Sequence, residues 1–120
     1  MKASELRIGN FVTTIDDKII CTSVKGFYGF PVNTGIINHN NSVNDFEYLK
    51  PIPLTEEWLL KFGFEQKNGI KCWVNEDVEI CFETLANYYR LYPRTNKIKY
   101  VHQLQNLYFA LTGEELTIIE

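Results

Sequence analysis

Tyr100-Val101-His102-Gln103-Leu104-Gln105-Asn106-Leu107-Tyr108-Phe109-Ala110-Leu111-Thr112-Gly113 is the stretch on which the reading of this chain turns. At about 100° per residue, Tyr100, Val101, Leu104, Leu107, Tyr108 and Leu111 gather within an arc of about 120°. The spacing predicts an amphipathic helix from about Lys99 to Thr112. Gly113 ends it as the residue most easily placed in the left-handed region. His102, Gln105, Asn106 and Phe109 share a second arc outside the apolar stripe. Amides around an aromatic ring, in place of Lys and Glu, have the composition of a surface that meets another protein. The competing reading is a helix sandwiched between two lobes with both sides covered.

Well upstream of it, residues 54–63 predict a short helix. Thr55 suits the N-cap, Glu56 and Glu57 suit the positive end of the helix dipole, and Leu54 and Leu59 have the staple spacing. Gly63 follows as a stop, with Phe64 placed to fold back on the last turn. Trp58, Leu59 and Phe62 would dock this helix on a core.

A hairpin is expected next. A turn centred on Asn75-Glu76-Asp77 pairs Val74 with Val78 and Cys72 with Ile80, which gathers six apolar side chains on one face. That register sends Cys72 inward and Cys81 to the opposite face, excluding a disulfide between them. It also turns Trp73 away from the core, as a further candidate for protein contact. A third strand is expected from about Thr84 to Tyr92, stopped by Pro93, and Leu116–Ile119 suits a closing edge strand. The second half thus reads helix, three strands, helix.

Residues 5–53 lack a helical period. Leu6-Arg7-Ile8, Phe11–Ile15, Lys18–Val24 and Phe46–Leu49 read as short strands. Gly9-Asn10, Asp16-Asp17, Gly26 and Gly29 provide turns or bulges, and Asn33–Asn44 reads as turns around Ile36-Ile37. Four or five short strands in about fifty residues predict a small SH3-like barrel or a curled sheet. The expected fold is α+β: residues 1–53 a small SH3-like β-barrel lobe, and residues 54–120 an α-β-β-β-α lobe packed with it as one compact unit.

Composition fits that picture. At 120 residues, 45% hydrophobic and 22% charged, the chain has the make-up of about one globular domain. A domain of this size can fold without a metal or disulfide. The N-terminus has no apolar signal region, and no run approaches the roughly 20 apolar residues of a membrane span. Three cysteines at irregular spacing point to a reducing compartment, with the cytoplasm as the default and no membrane partner. The net charge of −3 disfavours a dedicated nucleic-acid binder, yet residues 84–113 hold Arg90, Arg94, Lys97 and Lys99 and no carboxylate, so the rest of the chain carries −7.

Chemistry-bearing patterns are sparse. Cys21, Cys72, Cys81, His39 and His102 show no metal-ligand spacing, and no nucleophile lies near a histidine in a recognisable arrangement. Gly26-Phe27-Tyr28-Gly29 opens no helix that could cradle phosphate, and the paired carboxylates are adjacent in sequence rather than facing. No catalytic residue, metal or cofactor is expected. Tyr88, Tyr89, Arg90, Tyr92, Arg94, Lys97 and Lys99 interleave rings with cations, a composition suited to single-stranded nucleic acid. The expected function is a non-enzymatic protein-interaction module using His102, Gln105, Asn106, Phe109 and Trp73, with a protein partner favoured over nucleic acid.

Three segments taken together, Glu5–Asn10, Pro51–Phe64 and Val101–Leu116, resemble a group of uncharacterised small proteins common in gut bacteria and in their prophages and phages. The resemblance spans nearly the whole chain. It implies an accessory protein of a phage or mobile element and carries over no catalytic residue.

Overall fold

A computed structural model describes residues 1, 3–15, 21–67, 69–75, 78–84, 88–92 and 97–119, with only the backbone described for Ala3 and Tyr92. The fold is α+β, with two antiparallel sheets and two helices. The first sheet comprises β1 (Phe11–Thr14), β2 (Thr22–Tyr28), β3 (Gly35–Asn38), β4 (Val43–Asp45) and β5 (Leu49–Lys50), in the order β4-β3-β2-β1-β5. Among the described residues no pairing joins β4 to β5, so the sheet is not seen closed into the expected barrel.

Local chemistry accounts for its turns. Asn38 accepts hydrogen bonds through its side chain from the Asn40 and Ser42 amides, and Asn41 takes a positive φ, which together turn β3 into β4. Gly26 interrupts β2 without ending it. The strand passes through it with a bulge between Val24 and Gly26, and ends before Gly29, whose φ is +120°. Residues 46–48 form a 3-10 turn instead of continuing the predicted strand. The expected Asp16-Asp17 turn, and the start of the predicted strand from Lys18, lie outside the described residues.

Helix α1 (Glu56–Lys61) begins at Thr55, whose hydroxyl accepts the Trp58 amide at 3.4 Å. It ends in a double backbone closure: Gly63 N–H donates to Leu60 and Phe64 N–H donates to Leu59. Gly63, at φ +86°, makes that geometry possible. Phe64 thereby turns into the core beside Leu59 and Phe62, all nearly inaccessible.

The second sheet is a meander of β6 (Glu65–Gln66), β7 (Cys72–Asn75), β8 (Val78–Glu83), β9 (Tyr88–Tyr92) and β10 (Lys97–Ile98). The two-residue strands β6 and β10 add to the three expected ones. The hairpin register differs from the prediction by one residue: Cys72 faces Cys81, Trp73 faces Ile80 and Asn75 faces Val78. A one-residue slip reverses every side chain of a strand. Trp73 therefore enters the core, packing edge-on to Tyr89, while Cys72 and Cys81 share the outer face and are joined as a disulfide. The indole is the largest apolar group β7 can bury, which favours this register over one that buries Cys72 and Val74.

Helix α2 (Val101–Thr112) lies between the two sheets. Val101, Leu104 and Tyr108 join the second-sheet core with Leu59, Phe62 and Ile80. A separate small core of Leu6, Val12, Val24, Ile36 and Leu49 serves the first sheet. Phe11 of β1 bridges them, since its ring packs on Trp58 and Phe62. Beyond α2, residues 114–119 form no strand; Leu116 is buried and Ile119 N–H donates to the Lys61 carbonyl.

Candidate functional site

The polar arc of α2 is not an exposed surface. His102 and Gln105 are 2% and 1% exposed, against the expectation that this side faces solvent. Gln105 accepts from Phe11 N–H at 2.9 Å and donates to the Gly9 carbonyl at 3.0 Å. Asn106 Oδ1 accepts from Arg7 Nη1 at 3.0 Å and from Asn10 Nδ2 at 2.8 Å, while its Nδ2 donates to the Glu5 carbonyl at 3.1 Å. Arg7 also pairs with Glu115 and lies over the Phe109 ring at 4.1 Å. The turn at Gly9, with φ +98°, aims these backbone groups at the helix, and Arg7 N–H donates to Asn10 Oδ1 to hold the turn. The amides are therefore a clamp between the lobes. Of the predicted contact residues, only Phe109 stays substantially accessible, at 40%, and Trp73 is buried in the core.

His102 sits at the edge of the clamp. Its ring stacks on Tyr100, its Nδ1 is buried without a hydrogen-bond partner among the described residues, and burial pushes its pKa down while Glu5 opposes that shift. A cleft of about 420 Å³ opens beside it, lined by Ser4, Glu5, Lys97, Gln103 and Leu107.

The aromatic and basic segment is divided by strand alternation. Tyr89 points into the core, where burial raises its phenol pKa. Tyr88 and Arg90 point outward with Lys97, whose ammonium lies 5.3 Å from the Tyr88 ring centre. Arg90 is paired with Glu83 at 3.3 Å, and Glu79 stands on the same face. Lys99 is exposed; Arg94 and the Tyr92 side chain lie outside the described residues. The predicted run of stacking rings and cations is thus interrupted by one buried tyrosine and by carboxylates.

A signal missed in the sequence is a larger apolar groove of about 920 Å³. Its walls are Leu6 and Ile8 from the N-terminal segment, Phe11 of β1, Phe27 of β2, and Leu116 and Ile118 from the C-terminal tail. Ile8 is 61% exposed and Ile118 41% exposed. The neutral Arg7–Glu115 pair lies on its rim. On the β1 side, β2 is paired only through Thr22, Ser23 and Val24; beyond Val24 no described residue pairs with it there. No described helix is long and apolar enough to cross a membrane.

Comparison with protein-family models finds no match, and neither the curated proteins nor the solved structures contain a match to this chain.

Proposed function

We propose that the protein is a non-enzymatic protein-interaction module whose docking surface is the apolar groove, not the polar side of α2. The observation that carries this reading is the β1-side edge of β2 over Lys25–Tyr28, with which no described residue pairs and which runs alongside the apolar wall containing Phe27, Ile8 and Ile118. Open strand edges are templates for added strands, and natural proteins usually cover or charge them. The occupant is an extended, uncharged segment of a partner protein with apolar residues at alternate positions. Its backbone adds to β2, and every second side chain enters the groove. The neutral rim argues against a charged segment. In this reading the first sheet, SH3-like in its sequence pattern, provides the edge and the C-terminal tail provides the facing wall. A role as accessory protein of a phage or mobile element rests on the sequence resemblance alone.

The test is selection from a random-peptide display library on the purified protein. Enriched peptides should alternate apolar residues, shift the Lys25–Tyr28 amide resonances, and lose binding to Ile8→Asp, which alters an exposed side chain and leaves the fold intact. Binders that ignore Ile8→Asp, or shifts confined to other strands, refute the reading. Binding of single-stranded oligonucleotides with a steep salt dependence that Arg90→Ala and Lys97→Ala abolish would instead favour the nucleic-acid alternative.

A further inference from the structure

The outer face of the β7–β8 hairpin gathers three side chains that the fold does not use for its core. Cys72 and Cys81 stand directly opposite one another, and Glu79, two residues before Cys81, lies on the same face. The two sulfurs and a Glu79 carboxylate oxygen all lie within 4.8 Å of one another, and Cys81 Sγ is 3.5 Å from Glu79 Oε2. Two thiols and a carboxylate converging on one point form a donor set for a thiophilic divalent cation. We propose that the reduced hairpin is a metal site for Zn²⁺ or a cation of similar character, with Cys72, Cys81 and Glu79 as three ligands and a solvent-facing fourth position.

The surroundings suit this assignment. Two thiolates and a carboxylate carry three negative charges, so a bound divalent cation leaves one in excess. Lys67 lies 3.1 Å from Glu79, and Arg90 is the cross-strand neighbour of Cys81. These cations favour the thiolates and offset the excess charge. Cys81 is 8% exposed and Cys72 and Glu79 are half-buried, so the site is partly shielded yet open on one side. Strand alternation holds the donors in place, because Trp73, Ile80 and Phe82 fix the opposite face of the same two strands in the core.

In the disulfide form the sulfurs are bonded to each other and the site is closed. A phosphine reductant opens it: the phosphine takes up the oxygen of one water, the S–S bond breaks, and the two protons go to the two sulfurs. Metal binding then displaces those protons. The site is independent of the groove, which lies on other elements.

The experiment titrates Co²⁺ alone into phosphine-reduced protein after removal of the reductant under anaerobic conditions. One Co²⁺ per chain should bind with thiolate-to-cobalt charge-transfer absorption and tetrahedral visible bands, and Zn²⁺ should displace it. Cys72→Ser and Cys81→Ser should each abolish the charge-transfer band, Glu79→Gln should weaken binding about tenfold or more, and Cys21→Ser should bind as the wild type does. A second measurement avoids substitution: Zn²⁺ should protect Cys72 and Cys81 of the reduced wild type, but not Cys21, from alkylation read by peptide mass spectrometry. Folded, reduced protein that shows no charge-transfer band overturns the proposal. So does a band that survives Cys81→Ser, or equal alkylation of all three cysteines with and without Zn²⁺.

Discussion

Replacing Gln105 by Leu should weaken the whole protein, not only α2. The substitution keeps the side chain's approximate size and its helix propensity but removes both ends of the amide clamp. Phe11 N–H would lose its acceptor at 2.9 Å and the Gly9 carbonyl its donor at 3.0 Å, at a position only 1% exposed. A buried polar group left without a partner costs about 1–3 kcal/mol. Two such groups bring the loss to about 2–6 kcal/mol, and the lower half of that range applies because both bonds are only partly shielded. For a chain of this length, 1 kcal/mol corresponds to about 4 °C in melting temperature, so the midpoint should fall by about 8–16 °C.

Urea and thermal unfolding followed by circular dichroism measure this directly, with Gln66→Leu as an exposed control expected to change stability by about 0.5 kcal/mol or less. Gln105→Glu should cost at least as much as Gln105→Leu, since it keeps the acceptor for Phe11 but sets a buried carboxylate oxygen against the Gly9 carbonyl. Amide exchange at Phe11 should accelerate in Gln105→Leu, which removes its acceptor. The reasoning fails if Gln105→Leu matches the control, or if the first sheet melts separately while the second keeps its wild-type midpoint. That outcome would mean the amides decorate the lobe boundary without joining the lobes.

Gly63→Ala should cost about 1–3 kcal/mol, because φ is +86° there and the added methyl would collide with Ile119 Cδ1; Ile119→Ala should recover the steric part, read by a double-mutant cycle of urea midpoints. Thr55→Ala should cost about 0.5–1 kcal/mol, since the cap bond is long at 3.4 Å. His102 predicts a pH effect. Burial holds its folded pKa below that of the unfolded chain, so its contribution is complete above the ordinary histidine value of about 6.5 and is lost as pH falls towards the folded value. The stability difference between wild type and His102→Gln should therefore shift against the wild type between about pH 7.5 and about pH 5, measured by urea unfolding across that range. An unchanged difference would show that His102 has the same proton affinity folded and unfolded.

What could be read in advance follows the range of the interactions involved. The Thr55 cap, the Gly63 closure and the Gly113 stop are set by neighbours within five residues, and all three stand where the pattern puts them. The β7–β8 register could not be read, because two- and three-residue turns at 75–77 both leave an apolar face. The choice falls to Trp73, whose burial depends on Tyr89 and on helices distant in sequence. That single slip reverses three expectations together: Trp73 turns inward, Cys72 turns outward, and the excluded cysteine pair becomes adjacent. The His102–Phe109 arc was recognisable as unusual, but its partners at Glu5–Asn10 are nearly one hundred residues away, and no local pattern reveals them.

The clamp and the groove share the same residues in sequence. Arg7 bonds Asn106 and Glu115, while its neighbours Leu6 and Ile8 line the groove, and Leu116 next to Glu115 forms the facing wall. Helix α2 therefore sets the separation of the two walls without contributing the surface itself. This gives the amide-rich flank a role that exposure would not: loosening Asn106 should spoil peptide docking from a distance. Asn106→Ala changes no residue of the groove, yet it releases Arg7, on the rim, and Asn10 together. Peptides selected on the wild type should bind Asn106→Ala more weakly while binding Phe109→Ala as before, since Phe109 lies under Arg7 but outside the groove. Equal binding by wild type and Asn106→Ala would separate the clamp from the groove and leave the helix a purely structural part.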